Sequence, residues 1–196
     1  MMDIPALILA GGRSSRMGGG DKSLMQLNGR PLLVHVLDRI RPQASSILIN
    51  SNSDPALFAK FGFPVRADAI TGRLGPLAGL LTGLLWAEEM FATHLLTVSC
   101  DTPFLPSDLA SRLFADLHHA QADIAVARDP EQIQPIIALW PVRLAAQLAA
   151  DLEDGIRSVQ RWQSQFTVCE STFAACHFSN LNTPAELMAA EGGLAA

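Results

Sequence analysis

The sequence predicts a single α/β domain over residues 1–196, with a mostly parallel open sheet and helices on both faces. Short apolar runs alternate with longer segments of helical periodicity, a pattern typical of strands joined by crossover helices. The chain has 196 residues, of which 49% are hydrophobic and 17% charged, so one domain can bury a sizeable core. The first run, PALILA at 5–10, is apolar throughout, as expected of a strand buried on both faces.

The remaining elements follow in order along the chain. Apolar residues at helical spacing, with Pro31 in the first turn, predict a helix over 31–42. Further helices are predicted at 55–61, 74–90 and 106–119, and two or three helical pieces end the chain. The other predicted strands are 45–51, 64–68, 94–99, 122–128 and 135–141. This is the order of a Rossmann-like domain, in which ligands bind beyond the carboxyl ends of the strands.

Composition and charge narrow the possible partners. The net charge of −5 argues against nucleic acid, although residues 1–30 carry +2 and leave −7 for the rest. Such a positive island suits a small anionic ligand. The longest apolar run, 74–87, has 14 residues, short of the roughly 20 that a membrane span needs. No signal peptide is evident, and three cysteines without metal-ligand spacing indicate a cytoplasmic protein with reduced thiols.

The loop after the first strand combines five glycines with three cations over 7–23. Gly11 and Gly12 let backbone N–H groups approach a ligand, while Arg16 and Lys22 can bind phosphate oxygens. The P-loop pattern fails because Asp21, not glycine, precedes the lysine, and the dinucleotide fingerprint fails as well. What remains over 9–22 is L-A-G-G-x-S-x-R-M-G-x-x-D-K, a phosphate-binding loop of another kind.

This pattern resembles the signature of nucleotidyltransferases that join a nucleoside monophosphate to a phosphorylated acceptor. It is most similar to the molybdenum cofactor guanylyltransferase family, whose further segments appear in the same order: GPLAGLLTGL, CDTPFLPSDL, QPIIALW and NLNTPAEL. The resemblance implies a fold of the nucleotide-diphospho-sugar transferase type. It also implies transfer of GMP from GTP to the terminal phosphate of molybdenum-loaded molybdopterin, with release of pyrophosphate.

Asp101 follows the apolar run 94–99, in the segment CDTPF. A carboxylate at this edge of a sheet needs a partner, and Mg²⁺ typically takes one or two carboxylates together with substrate phosphates. By resemblance Asp101 is the Mg²⁺ ligand and, with Arg16 and Lys22, a catalytic residue. Cys100 beside it is expected to be a small core residue.

The resemblance also assigns a GTP site at the same edge. It comprises the loop and strand-end residues Leu9, Ala10, Gly11, Gly12, Lys22, Asn50, Asp68 and Asp101. An Asx turn would equally explain Asn50. Related cytidylyltransferases tend to have alanine where Gly11 stands, so the glycine pair favours guanine.

Helix 74–90 carries a stripe of glycines at 75, 79 and 83 on one face. Each glycine costs a helix up to about 1 kcal/mol, so the stripe needs a reason. Either the nucleotide or the first strand approaches the helix backbone there. Gly75 and Gly79 are therefore candidates for GTP binding, and tight packing on the sheet is the alternative.

In the turn NLNTPAEL, helix capping alone explains Thr183, Pro184 and Glu186. For the remaining Asn180 and Asn182, the resemblance implies contacts to the acceptor, at its pterin or its phosphate. Arg157 is a further candidate for the acceptor's phosphate. Two alternatives stay open: CTP or another phosphorylated acceptor on the same fold, and a nucleotide sensor without catalysis. The family also suggests molybdenum-insertion enzymes and molybdoenzyme apoproteins as partners.

Overall fold

The computed structural model describes residues 3–11, 21–72, 75–181, 186, 187 and 190. The strands in this part are β1 (Ala6–Leu9), β2 (Gln26–Leu27), β3 (Arg30–Pro31), β4 (Ile47–Asn50), β5 (Val65–Arg66), β6 (His94–Ser99), β7 (Ile124–Arg128), β8 (Ile133–Pro141) and β9 (Val168–Thr172). The α-helices are α1 (Leu32–Ile40), α2 (Pro76–Glu89), α3 (Leu109–Ala120), α4 (Ala145–Glu153) and α5 (Val159–Gln163).

Seven strands form one sheet in the order β5-β4-β1-β6-β8-β7-β9. β1, β4, β5 and β6 are parallel neighbours, and β7 pairs parallel with β9. β8 runs antiparallel to both β6 and β7. The prediction of a mostly parallel sheet is confirmed, with β8 as a reversed strand between two parallel groups.

The sheet separates two apolar layers. Side chains of α1 and α3 pack on one face, around Ile8, Ile49 and Val98. Side chains of α2, α4 and α5 pack on the other face, around Leu7, Leu48 and Trp140. Helices therefore cover both faces, as predicted. Among the described residues, no helix has the length and apolar character to cross a bilayer.

The structure departs from the predicted elements in several places. Residues 55–61 form two 3-10 turns, Pro55–Leu57 and Ala59–Phe61, instead of one helix. The hairpin of β2 and β3 was not predicted, although its Asn28-Gly29 turn has φ of 50° and 70°, which favours this dipeptide. Strand β9 lies where helical pieces were expected, because its half-exposed residues lack an apolar run.

The glycine stripe of α2 packs against the sheet. A Cβ at Gly79 would overlap the side-chain oxygen of Asn50 and lie 2.5 Å from Leu9 Cδ2, and one at Gly83 would lie 2.6 Å from Leu7 Cδ2. These distances support the packing alternative, in which the missing side chains let the helix approach β1. Contact of Gly79 with a nucleotide stays a prediction.

Substitution of Gly79 with alanine is expected to lower the stability of the protein by about 2 kcal/mol because the new methyl group overpacks the core. Helix propensity alone would give the opposite sign, a gain of about 1 kcal/mol. Thermal unfolding should therefore show Tm lowered by roughly 4–8 °C. Gly11→Ala is the control, because no atom of the described residues lies within 4 Å of a Cβ there. An unchanged or raised Tm for Gly79→Ala would contradict this packing.

Helix α2 ends in a Schellman motif that places a phenylalanine where glycine is preferred. Phe91 has φ of 57°, and the N–H groups of Phe91 and Ala92 donate to Glu88 and Ala87. The side chain is 94% exposed, so its packing does not compensate for the left-handed backbone. At the corresponding position of α4 the chain has Gly155, with φ of 91°.

Replacing Phe91 with glycine is expected to stabilise the protein by about 1 kcal/mol, because glycine adopts the left-handed conformation without strain. Thermal unfolding should show Tm raised by roughly 2–4 °C. Gly155→Ala is the matched control and should shift Tm in the opposite direction by a similar amount. A lower Tm for Phe91→Gly would show that the exposed ring contributes more than its geometry indicates.

Candidate active site

Several of the residues predicted from the sequence lie at one edge of the sheet. Strands β1, β4, β5 and β6 are parallel, so their carboxyl ends lie together. Gly11, Asn50, Asp68 and Asp101 each end one of these strands or follow it within two residues. Leu9 and Ala10 are buried, and their backbone is bonded to the neighbouring strands, with Ala10 N donating to Asn50 O at 2.9 Å.

Lys22 and Asp101 form an ion pair at this edge. Lys22 Nζ lies 2.5 Å from Asp101 Oδ2, and both side chains are more than four-fifths buried. A 3-10 turn, Lys22–Leu24, presents the lysine, and Asp21 caps it by accepting from Ser23 N at 3.0 Å. Asp21, which stands where a P-loop would have glycine, is thus the residue that caps this turn. The two residues are 79 positions apart in the chain, and the fold brings them into contact.

The residues around Asp101 tie it to the turn predicted for the acceptor. Its backbone carbonyl accepts from Leu181 N at 3.0 Å, which places Asn180 beside it. Burial raises the pKa of the Cys100 thiol, and the charge of Asp101 raises it further. Cys100 is therefore a neutral thiol in the core, as expected from the sequence, and not a nucleophile.

A second polar cluster joins the ends of β4 and β5. Asn50 Nδ2 donates to Asp68 Oδ1 at 3.0 Å, and Asn52 Nδ2 donates to Asp68 Oδ2 at 2.8 Å. Asn52 Oδ1 also accepts from Asp68 N at 2.9 Å. Asn50 is buried, and its side-chain amide also donates a hydrogen bond to a backbone carbonyl of β5. An Asx turn would not require this bond. Asn52 was missed by the sequence analysis, although an asparagine two residues after a strand-ending asparagine was a visible signal.

A cleft of about 420 Å³ opens beside Asp101. Its walls come from the end of β6 and from the starts of β8, α2 and α5. The residues that line it are Pro76, Ser99, Asp101, Thr102, Gln134, Pro135, Ile136, Ile137, Ser158, Val159, Gln160 and Asn180. The N-cap of α2 is Gly75, which has no side chain to cap the helix. Pro76, the first residue of α2, lines the cleft, so the positive end of the helix dipole lies there.

Arg157 lies next to the cleft without lining it. Its Nη1 donates to the carbonyl oxygens of Leu152 at 2.6 Å and of Ile156 at 2.7 Å. Its own carbonyl would lie 3.7 Å from a Cβ at Gly75, so the start of α5 contacts the start of α2. Its role toward the acceptor stays a prediction. Gly12, Arg16 and Asn182 lie outside the described residues.

The residues present fit a metal that is bound mainly through a substrate. Across the described ranges, no three His, Cys, Asp or Glu side chains cluster as metal ligands. One partly exposed carboxylate, that of Asp101, does lie at the cleft, next to a cation. Mg²⁺ in nucleotide enzymes is held in this way, by one or two carboxylates together with phosphates and water.

The fold, with Gly11, Lys22 and Asp101 at the carboxyl edge of its sheet, is the arrangement expected of a nucleotidyltransferase. Residues 6–167 match the MobA-like NTP transferase domain. The chain is 46% identical over 193 residues to a molybdenum cofactor guanylyltransferase of Rhodopseudomonas palustris (strain BisB5), covering 95% of this chain and 92% of that one. The chain belongs to the molybdenum cofactor guanylyltransferase family, and the resemblance found in the sequence is confirmed.

Solved structures share the fold. Molybdopterin-guanine dinucleotide biosynthesis protein A of Archaeoglobus fulgidus superimposes with a TM-score of 0.79 at 20% identity, over 98% of this chain and 99% of that one. Rv0371c of Mycobacterium tuberculosis H37Rv, solved in complex with manganese, superimposes with a TM-score of 0.71 at 17% identity, over 97% and 99% of the two chains.

Proposed function

We propose that the protein transfers the guanylyl group of GTP to the terminal phosphate of molybdopterin, within molybdenum cofactor biosynthesis. The observation that carries the chemistry is the contact between Lys22 and Asp101 at the mouth of the cleft. It joins a phosphate-binding cation to a metal-binding carboxylate at the place where the phosphates of a nucleotide would lie. The curated relative supplies the substrates, since its name states a guanylyl transfer to the molybdenum cofactor.

In the proposed reaction an oxygen of the acceptor phosphate attacks the α-phosphorus of GTP and forms a new P–O bond. The bond from the α-phosphorus to the oxygen that bridges to the β-phosphorus breaks, and pyrophosphate leaves with that electron pair. The attacking phosphate is already an anion, so no general base is required. Catalysis then consists of alignment and charge neutralisation by Lys22, Arg16 and the N–H groups of the glycine loop.

Asp101 is the residue that would hold a divalent metal, and Mg²⁺ is the ion we propose. Bound there, the metal would neutralise charge on the triphosphate. Manganese in Rv0371c shows that the shared fold accommodates such an ion in that protein. With a metal–nucleotide complex bound, Asp101 would hold the metal and Lys22 would bind a phosphate oxygen, in place of their present ion pair.

The cluster at Asp68 supports a site for the guanosine part of the donor. Asn50 and Asn52 hold both oxygens of its carboxylate, so its position is fixed before a ligand binds. A carboxylate can accept two hydrogen bonds from the N1–H and 2-amino groups of guanine, a pair that cytosine lacks. Asp68 therefore favours GTP over CTP in this proposal, together with the backbone of Leu9, Ala10, Gly11 and Gly12.

The test is product formation by purified protein from molybdate-loaded molybdopterin, Mg²⁺ and either GTP or CTP, followed by chromatography. A GMP-linked product formed only with GTP is expected. A CMP-linked product would retain the chemistry and contradict the guanine preference. Nucleotide binding without any product would favour a sensor or another acceptor.

The proposal also includes a cellular location and protein partners. We place the reaction in the cytoplasm, where the three free thiols of Cys100, Cys169 and Cys176 would stay reduced. Molybdenum-insertion enzymes and molybdoenzyme apoproteins are the proposed partners for receiving and handing on the cofactor. Co-purification of the protein with a recipient apoenzyme would test this handover.

A further inference from the structure

One wall of the cleft carries a buried amide that the proposed transfer of the guanylyl group does not use. Gln134 lies near the start of β8, lines the cleft with Asp101, and is 7% exposed. Its Nε2 donates to Asp129 Oδ2 at 3.0 Å. Asp129 is also buried, and its Oδ1 accepts from the N–H groups of Glu131 and Gln132, both at 2.8 Å.

The carboxylate of Asp129 fixes which way this amide points. Partial burial acts to raise the pKa of Asp129, but the hydrogen bonds from Gln132, Glu131 and Gln134 outweigh it, and the pKa is lowered. Asp129 is therefore ionised at neutral pH and can only accept hydrogen bonds. Gln134 must turn its NH₂ group to Asp129, which leaves its carbonyl oxygen for another donor.

That oxygen has no donor among the described residues. Ser171 Oγ is the only fully buried side-chain polar atom without a partner in this part of the chain, so Oε1 of Gln134 is accessible from the cleft. A buried amide whose NH₂ group is bonded, and whose carbonyl oxygen faces a cleft, can accept a hydrogen bond from an N–H group of a ligand.

We propose that Gln134 accepts a hydrogen bond from the N–H-bearing edge of the acceptor's heterocycle and that Asp129 positions it. This inference rests on the proposed function, in which the acceptor is a pterin. A pterin presents ring N–H and amino donors along one edge. Asp101 and Asn180 line the same cleft, so a molecule bound at Gln134 lies beside the reacting phosphates.

The experiment compares the wild type with Gln134→Leu, Asp129→Asn and the control Gln163→Leu. Gln163 is 6% exposed and donates to Pro135 O at 2.9 Å, but it does not line the cleft. Loss of one hydrogen bond should raise KM for molybdopterin roughly 10-fold in Gln134→Leu, with KM for GTP unchanged. Asp129→Asn should raise KM for molybdopterin less than Gln134→Leu does. The new amide can donate as well as accept, so it no longer forces the orientation of Gln134, but the carbonyl oxygen of Gln134 is still present.

A second measurement does not depend on turnover. Binding of 6-hydroxymethylpterin, followed by its own fluorescence without GTP, should weaken roughly 10-fold in Gln134→Leu and stay unchanged in Gln163→Leu. Equal affinity of the wild type and Gln134→Leu, or no binding to the wild type, would overturn the inference. A wild type that binds the pterin but makes no product would contradict the proposed function alone. If Gln134→Leu fails to fold, Asp129→Asn decides both measurements.

Discussion

Replacement of Asp101 with asparagine is expected to reduce guanylyl transfer at least about 100-fold. The substitution removes the negative charge that would hold a divalent metal on the triphosphate, and loss of one charge-stabilising contact typically costs 10²-fold or more in rate. Asparagine keeps the shape of the side chain and one oxygen that can accept from Lys22 Nζ, so the fold should be retained. The measurement is the initial rate of product formation with saturating GTP and molybdopterin, together with a circular dichroism spectrum.

Asp154→Asn is the matched control for this variant. Asp154 is exposed, follows the last residue of helix α4 and does not line the cleft. Its substitution should leave the rate within about two-fold of the wild type, because surface substitutions away from a site have small effects. A folded Asp101→Asn variant with near wild-type turnover would show that the metal is held elsewhere.

Replacement of Lys22 with glutamine is expected to cost roughly 100-fold in turnover, since the ammonium would stabilise charge that grows on the phosphates during transfer. Initial rates with varied GTP separate the effect on kcat from the effect on KM. Lys60→Gln is the control, because Lys60 is exposed, its ammonium lies over the ring of Phe61, and it does not line the cleft.

The double variant Lys22→Gln/Asp101→Asn tests whether the two residues act together. Their side chains are in contact, and the contributions of residues that form one unit are not additive. The double variant should therefore lose much less than the product of the two single losses. Fully additive losses would mean that each residue serves the reaction independently.

The parallel half of the fold could be predicted because its strands are buried on both faces and read as continuous apolar runs. The location of Asn50, Asp68 and Asp101 at one edge could be predicted because parallel strands end there. Lys22 was predicted from the pattern of the glycine loop, and its contact with Asp101 was not predicted. The direction of β8 could not be predicted in the same way. Its run PIIALW is equally apolar for a parallel or an antiparallel strand, and only the short β7–β8 connection indicates a hairpin.

Other parts of the site depend on contacts that no local pattern reveals. The pairing of Asn52 with Asp68 joins two loops 16 residues apart. The orientation of Gln134 depends on the ionised state of Asp129, which is stabilised by hydrogen bonds within the four-residue turn 129–132. The Asn28-Gly29 hairpin, in contrast, has a local signal in the sequence, because Asn-Gly favours the turn of a two-residue hairpin.

The reversed strand β8 divides the sheet into two parts. The residues assigned to the nucleotide lie on β1, β4, β5 and β6, on the segments that follow these strands and on α2, all within the first 101 residues. Further residues that line the cleft come from the starts of β8 and α5. In the proposed function, a change in the hairpin of β7 and β8 would therefore alter which acceptor is bound and leave the donor half unchanged.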